Sequence, residues 1–491
     1  MASSDIRVVL DGRTLDVEGV VAVARQAARP FVAPGAIEAA TRAGATLAAL
    51  PAYGRSTGVG ANRELLVDPT DHGHDLRLWL SHAGGSGPLL DEEAVRAMLA
   101  IRLNQVLTGR TGMSAPCAQA VAAAVASDAL PAVARYGGVG TGDLTALASL
   151  GLCLAGRRPW WRLAGPAPSV FEPHRGDGLA LPSSNALTAG VAALAAHDLE
   201  EICRAAVVVA AMTCLATGAS TDAFAPGVWA DPSGGPPSGA ARVAAMLSEL
   251  LHGPGERLQD PYALRAAPVW HGPLVAALEE LAVTVHKEIN RSTENPLVDE
   301  AGGRWLHHAA IISTELATRL DGVRAALVPA ANGSLSRTRL LHTPSVTGLA
   351  PFLAVGPPGS SGTMIVEYGA AAAAAELAQA ATPSALAWTT LSIGQEDGAS
   401  FATQGALAAR RAADAFRAVV ASELVVAARA LRISGWPGAD QLARASGPLA
   451  AGVHLVMETL PDQPVDHDLG PELEAAARLL RDLAQNAPET P

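Results

Sequence analysis

The sequence predicts a mainly α-helical protein, on three observations. Nearly half of its 491 residues are apolar yet only 4% are aromatic, so the core has to be built from alanine, leucine and valine, which suit closely packed helices. Between Gly239 and Arg429 the chain runs in long Ala/Leu/Glu/Arg stretches with apolar residues at helical spacing, as in GPLVAALEELAVTVHKEIN from Gly272 to Asn290. The stretch from Ser360 to Ala381 is apolar on nearly every side, as befits a helix inside a bundle or at a subunit interface.

Taken in order, the opening IRVVLDGRTLD alternates around Asp11-Gly12 and predicts a small hairpin, after which VEGVVAVARQ begins a helix. Glycine and proline are dense from Val32 to Pro236, which predicts a mixture of helices and long loops. The expected organisation is a mixed helix and loop region over residues 1–200, a bundle of long helices over 201–430, and a smaller helical region over 431–491. The last of these ends in a disordered NAPETP tail. No internal repeat is visible.

Several function classes fall away. The formal charge of −12, with no cluster of Lys and Arg, argues against a nucleic-acid partner. Cys117, Cys153, Cys203 and Cys214 have no C-x-x-C spacing and lie in apolar surroundings, so reduced buried thiols and a cytoplasmic location are expected. The start has no apolar run of the secretory kind, and the longest apolar run, Arg204–Gly218, is shorter than the ~20 residues a membrane span needs. GGVGTGD places Asp143 where the last glycine of a dinucleotide loop would stand, and no Walker lysine follows. His307-His308 lacks the i, i+4 spacing of a zinc helix, so no metal is expected.

Six separated motifs, in order, carry a resemblance. YGRSTGVG (Tyr53–Gly60), SHAGGSG with VRAMLAIRLNQVLTG (Ser81–Gly109), LQDPYALRAAPVWHG (Leu258–Gly272), EINRSTENPLV (Glu288–Val298), SGTMIVEY and GQEDGAS (Gly394–Ser400) resemble the blocks of the histidine and phenylalanine ammonia-lyases. The resemblance to these aromatic amino-acid lyases runs from about Ile6 into the C-terminal region. It implies an ammonia-lyase-like fold with a central bundle of long helices, assembled as a homotetramer whose active sites draw on more than one subunit.

Such enzymes eliminate ammonia with a methylidene-imidazolone (MIO) made by cyclising and dehydrating an Ala-Ser-Gly tripeptide. Here that tripeptide is Gly140-Thr141-Gly142, followed by the family's Asp143-Leu144. Gly140 makes the turn less preorganised, and a dehydrated Thr141 would carry an extra methyl on the accepting carbon. In GLALPSSNALTAG the asparagine that helps hold electrophile and substrate is replaced by Ser183. The expectation is no working electrophile, hence no cofactor.

The other residues implied by the resemblance are retained. Tyr53 matches the catalytic base and Tyr262 a second catalytic tyrosine; Arg265 matches the carboxylate clamp, where a guanidinium fork grips both oxygens. Glu396 and His82 match the histidine-type members, facing the imidazole end of the substrate, and Gln259 and Asn290 match hydrogen-bonding positions. Trp305 stands near a family phenylalanine, Gly398 replaces a histidine, and Glu367 replaces a glutamine, adding a carboxylate that favours a cationic substrate.

With base and clamp kept and electrophile lost, the expected function is an MIO-independent lyase, eliminating a good leaving group from a histidine-like or cationic amino-acid-type small molecule. The alternatives are a cyclase or conjugate-addition enzyme of a biosynthetic pathway, a non-catalytic family member, and an ordinary ammonia-lyase with a modified MIO.

Overall fold

The computed structural model describes residues 6–255, 257–463 and 465–488. Part of the sequence start and, of the NAPETP tail, Glu489, Thr490 and Pro491 lie outside the described residues. Among the described residues the chain forms nineteen α-helices and eight strands of two to four residues, and the strands pair only in twos. The mainly α expectation from the aromatic-poor, alanine-rich composition is met.

Contacts within the chain divide it into two compact units. Unit 1 comprises Met1–His197, Leu281–Asp321 and Pro383–Leu407; unit 2 comprises Asp198–Glu280, Gly322–Thr382 and Ala408–Pro491. The division falls inside four of the longest helices, Ala186–Ala216, Ala267–Ile289, Thr314–Leu341 and Ala402–Ile433.

In unit 1 the helices start where acceptor side chains stand ready for the free N–H groups of a first turn. Asp16 accepts from Gly19 N, Asp91 from Ala94 N and Ser114 from Cys117 N, each side chain opening its helix. The expected hairpin at Asp11-Gly12 is not formed. Arg7–Val9 pairs in parallel with Arg29–Phe31 instead, across the helix Val17–Ala24. The physical reason is local: Asp11 Oδ1 takes the N–H groups of Arg13 and Thr14 at 2.8 Å, and the chain then runs into the Asp16 cap, so the helix supplies a crossover.

Unit 2 has a core of alanine, leucine and valine around a buried ion pair. Arg337 meets Glu423 through Nε at 2.6 Å and Nη2 at 2.9 Å, both side chains fully buried, and Thr213 donates to the same carboxylate at 2.7 Å. His271 is buried nearby, where desolvation and the Arg337 charge push its pKa down to about 3, so it is neutral. Removing one member of such a pair costs about 3–5 kcal/mol because the other is left charged and dry. Among the described residues no helix is long and apolar enough to cross a membrane.

Candidate active site

Tyr53 lies on a loop that folds back on itself. Its phenol oxygen accepts the Gly60 N–H at 2.6 Å, and its own N–H donates to His307 Nε2 at 3.3 Å. The loop is tied to the segment 391–396 through the Ala61 N–H, which donates to Ser392 Oγ at 2.9 Å. Gly60 has φ of 57°, and a Cβ there would overlap the Ser392 hydroxyl, so only glycine lets the two loops meet. Ser392 and Ile393 themselves sit in the left-handed region, which a β-branched isoleucine avoids unless surrounding structure imposes it.

This juxtaposition brings Glu396 to Tyr53. Burial is the larger cause that raises the phenol above its ordinary pKa; the Glu396 charge raises it further, against the Gly60 N–H and the Arg63 charge, which lower it. Beneath the loop, Arg55 stacks over the Trp305 ring at 5.4 Å and donates to Gly112 O at 3.1 Å. Trp305 packs with Ala43, Leu47, Ala52 and Val298, its indole N–H donating to Leu47 O, and it lines a small pocket together with Tyr53, Arg55 and Glu294.

The segment carrying the tripeptide is enclosed by polar contacts. The Gly140 carbonyl accepts from Ser400 Oγ at 2.7 Å and from the Ser313 N–H at 3.1 Å. The Gly142 N–H donates to Asn185 Oδ1 at 2.8 Å, and Asn185 in turn donates to Ile311 O and Ser313 Oγ. Asp143 accepts from the N–H and hydroxyl of Thr188, both at 2.8 Å; its complete burial nevertheless pushes its pKa up to about 6. Gly140 has φ of 77°, and a Cβ there would overlap the Ser400 hydroxyl and come within 2.7 Å of the Ala402 nitrogen. The family's alanine does not fit at 140. Thr141 is half-buried, and among the described residues its hydroxyl makes no hydrogen bond.

The remaining expected residues of unit 1 have structural partners. Ser183 is buried and its Oγ accepts the Asn295 N–H at 2.9 Å. His82 closes its own helix, Nδ1 lying 2.8 Å from Leu78 O. Asn290 donates to Leu15 O at 2.7 Å and accepts from Asn104 at 3.0 Å, holding the N-terminal segment. The motif TENP contributes Glu294, whose buried carboxylate takes Gly112 N, Thr111 Oγ1 and Arg102; Arg102 also binds the Ala180 and Leu181 carbonyls, just before Asn185.

Unit 2 carries the others. Gln259 is exposed, Tyr262 is 67% exposed, and Arg265 lies over the Tyr262 ring at 4.2 Å with Nε donating to Asp260 O at 2.8 Å. Glu367 is paired with Arg339 at 2.7 Å, so its charge is already matched within the unit. That lessens its pull on a cationic substrate.

Two positioning residues were not anticipated. Asn185 stands two places beyond Ser183 yet reaches the tripeptide; the asparagine in PSSNAL was the only signal. His307 holds the Tyr53 backbone, and nothing in an isolated HH dipeptide points to that. His308 is likewise a loop tie, Nε2 lying 2.9 Å from Glu294 O.

A helical fold with a tyrosine loop set against an acidic loop, and with an enclosed glycine-flanked tripeptide, defines the class: the chain belongs to the aromatic amino acid lyase family, whose description its residues 15–453 match. It is 32% identical over 509 residues to the histidine ammonia-lyase of Anaeromyxobacter dehalogenans (strain 2CP-C), covering 96% of this chain and 98% of that one. It is 31% identical to the histidine ammonia-lyase of Streptomyces coelicolor, covering 96% of each. Among solved structures it is similar to histidine ammonia-lyase from Trypanosoma cruzi, with TM-score 0.88, 25% identity and coverage of 99% of this chain and 96% of that one. It shares its fold with ergothionase from Treponema denticola, with TM-score 0.85, 24% identity and coverage of 98% and 99%.

Proposed function

We propose that this chain is a lyase that works through Tyr53 without an internally generated electrophile, eliminating a positively charged amine from an amino-acid-like substrate. The observation that carries the reading is position 140, where the Ser400 hydroxyl and the Phe401-Ala402 backbone occupy the space of the alanine methyl. The backbone of the tripeptide is held on both sides, the Gly142 N–H donating to Asn185 and the Gly140 carbonyl accepting twice. The residues present do not fit the family's MIO.

The chemistry then rests on base and leaving group. Ionised Tyr53 removes the proton from the substrate Cβ; the C–H electrons become the Cα=Cβ bond, and the Cα–N electrons leave with nitrogen as a neutral tertiary amine. The products are an α,β-unsaturated acid, the amine and a protonated tyrosine. A quaternary ammonium group needs no electrophile to depart. Burial and Glu396 both hold the phenol high, so the base is weakly ionised before substrate arrives. A cationic substrate offsets the Glu396 charge and lowers the phenol, which supports a charged leaving group. The resemblance assigns the carboxylate grip to Arg265 and a supporting catalytic role to Tyr262, in a site completed within a homotetramer. Ile365 and Tyr368, 59% and 66% exposed on the helix Met364–Ala380, support such assembly.

The test joins intact mass to substrate trials. The expected results are a full-length mass with no water lost and release of amine from betaine-type histidine derivatives or another acid with a quaternary leaving group. A deficit of two waters, or silence with every charged-leaving-group substrate, overturns the proposal. A second reading, an ammonia-lyase with an unusual MIO, is favoured by the two donors that polarise the Gly140 carbonyl. The same mass measurement decides between the two.

A further inference from the structure

Unit 1 carries a cavity that the elimination chemistry does not use. Its volume is about 800 Å³, within the ~300–1,000 Å³ of small-molecule sites. It is formed by the ends of the helices Val17–Ala24 and Ala115–Ala126, the side of Glu92–Val106, and Ala164-Gly165. None of Tyr53, His82, Ser183, Glu396 or the tripeptide lines it.

The lining is apolar with one acid and two cations. Val23, Ala27, Leu99 and Val125 contribute hydrocarbon walls. The acid, Asp128, is already committed: it accepts from Gln26 Nε2 at 2.8 Å and from Arg96 Nε at 2.7 Å, and Arg96 also holds Glu92. Gln26 and Asp128 both have left-handed backbones, φ 59° and 49°, at the ends of their helices. Two non-glycine residues held in that region and bonded to each other mark a rim that the packing over-determines.

The other cation is not committed. Arg29 lines the cavity, and its in-register neighbour on the paired parallel strand is Arg7, so two guanidinium side chains leave the same face of adjacent strands. Among the described residues neither has a carboxylate partner, although Arg7 lies over the Phe31 ring at 5.5 Å. Like charges directly opposite each other repel, and here they do so in a chain of net charge −12. An anion placed beside Arg29 relieves that repulsion. Only one of the two arginines lines the cavity, and the Asp128 carboxylate lines it as well, so the fit is to a single negative charge and not to a polyphosphate.

We propose that this cavity is a binding site for a small organic monocarboxylate, its apolar body against Val23, Ala27, Leu99 and Val125 and its carboxylate on Arg29 with Arg7 beside it. The proposal stands apart from the elimination reading and survives if that reading fails.

The test uses the full chain and three probes, hexanoate, 3-phenylpropanoate and indole-3-acetate, each beside its primary amide, with affinity read by calorimetry. At least one acid binds, and its amide binds tenfold or more weakly. Arg29→Glu abolishes binding, Arg29→Lys retains most of it, and Ala164→Trp, at an exposed position on the cavity wall, removes it while the melting temperature is unchanged. Tyr53→Phe leaves the affinity as it was. Absence of binding by all three acids, equal binding of acid and amide, indifference to Arg29→Glu and Ala164→Trp, or loss of binding in Tyr53→Phe each overturns the assignment.

Discussion

The two tyrosines assigned to catalysis live in opposite circumstances. Tyr53 has its hydroxyl bound by Gly60, its backbone held by His307 and its loop tied to Ser392. Tyr262 is two thirds exposed, with Arg265 lying on its ring. The first is fixed before any ligand arrives, and it is fixed against a negative neighbour; the second sits on a four-residue helix with its ring open to solvent. The difference teaches that in this chain the tyrosine expected to act as the base is preorganised, whereas the tyrosine expected to assist it is left accessible beside the expected carboxylate clamp, Arg265.

That contrast is open to four measurements. The largest effect is expected from Tyr53→Phe, which removes the base and lowers turnover by about 10²–10⁴-fold with little change in melting temperature; undiminished turnover breaks the comparison outright. Gly60→Ala forces a methyl into the Ser392 hydroxyl at a left-handed position, and a stability loss of about 2–3 kcal/mol is expected. Ser392→Gly in the same chain should restore part of it; if it restores none, the loop contact is not what fixes Tyr53.

The third measurement sets the buried base of unit 2 against the buried acid of unit 1. His271 has a folded pKa of about 3, below its unfolded value, so the unfolded chain binds the extra proton and stability falls as pH drops below about 6.5. Asp143 has a folded pKa of about 6, above its unfolded value, so it contributes in the opposite sense, gaining as pH falls from about 6 toward 4. His271→Asn is expected to spare about 2 kcal/mol of the stability lost between pH 7 and pH 5, read from denaturant midpoints at the two values. Identical acid limbs in the variant and the parent would show that His271 is not held neutral. The smallest effect is expected from Arg265→Lys: KM rises roughly tenfold, the value of one charge-assisted hydrogen bond, at unchanged turnover. A fall in turnover with KM fixed would place Arg265 in the chemical step instead.

Much of the fold was legible because it rests on order and periodicity. Six motifs in sequence and long alanine-rich runs identify the ammonia-lyase-like helices without any contact being known. Of the expected site, the pair Tyr53 and Glu396, each named from a separate motif, does come together. Trp305, named from its motif position alone, packs under Arg55 and Leu47 and also lines the small pocket that Tyr53 lines. Asn185 was passed over because alignment fixes register residue by residue, while a side chain two places along reached the Gly142 amide. The first strand was misread since alternation reveals a strand but not its partner, and the Asp16 cap sends the chain into a helix before it can turn back.

The crowding at position 140 also bears on redesign. A methyl added there would meet the Ser400 hydroxyl and the Ala402 nitrogen, so an alanine is accommodated only if the facing loop gives way. Engineering of an Ala-Ser-Gly tripeptide into this chain should begin at residues 400–402 and only then rewrite 140 and 141.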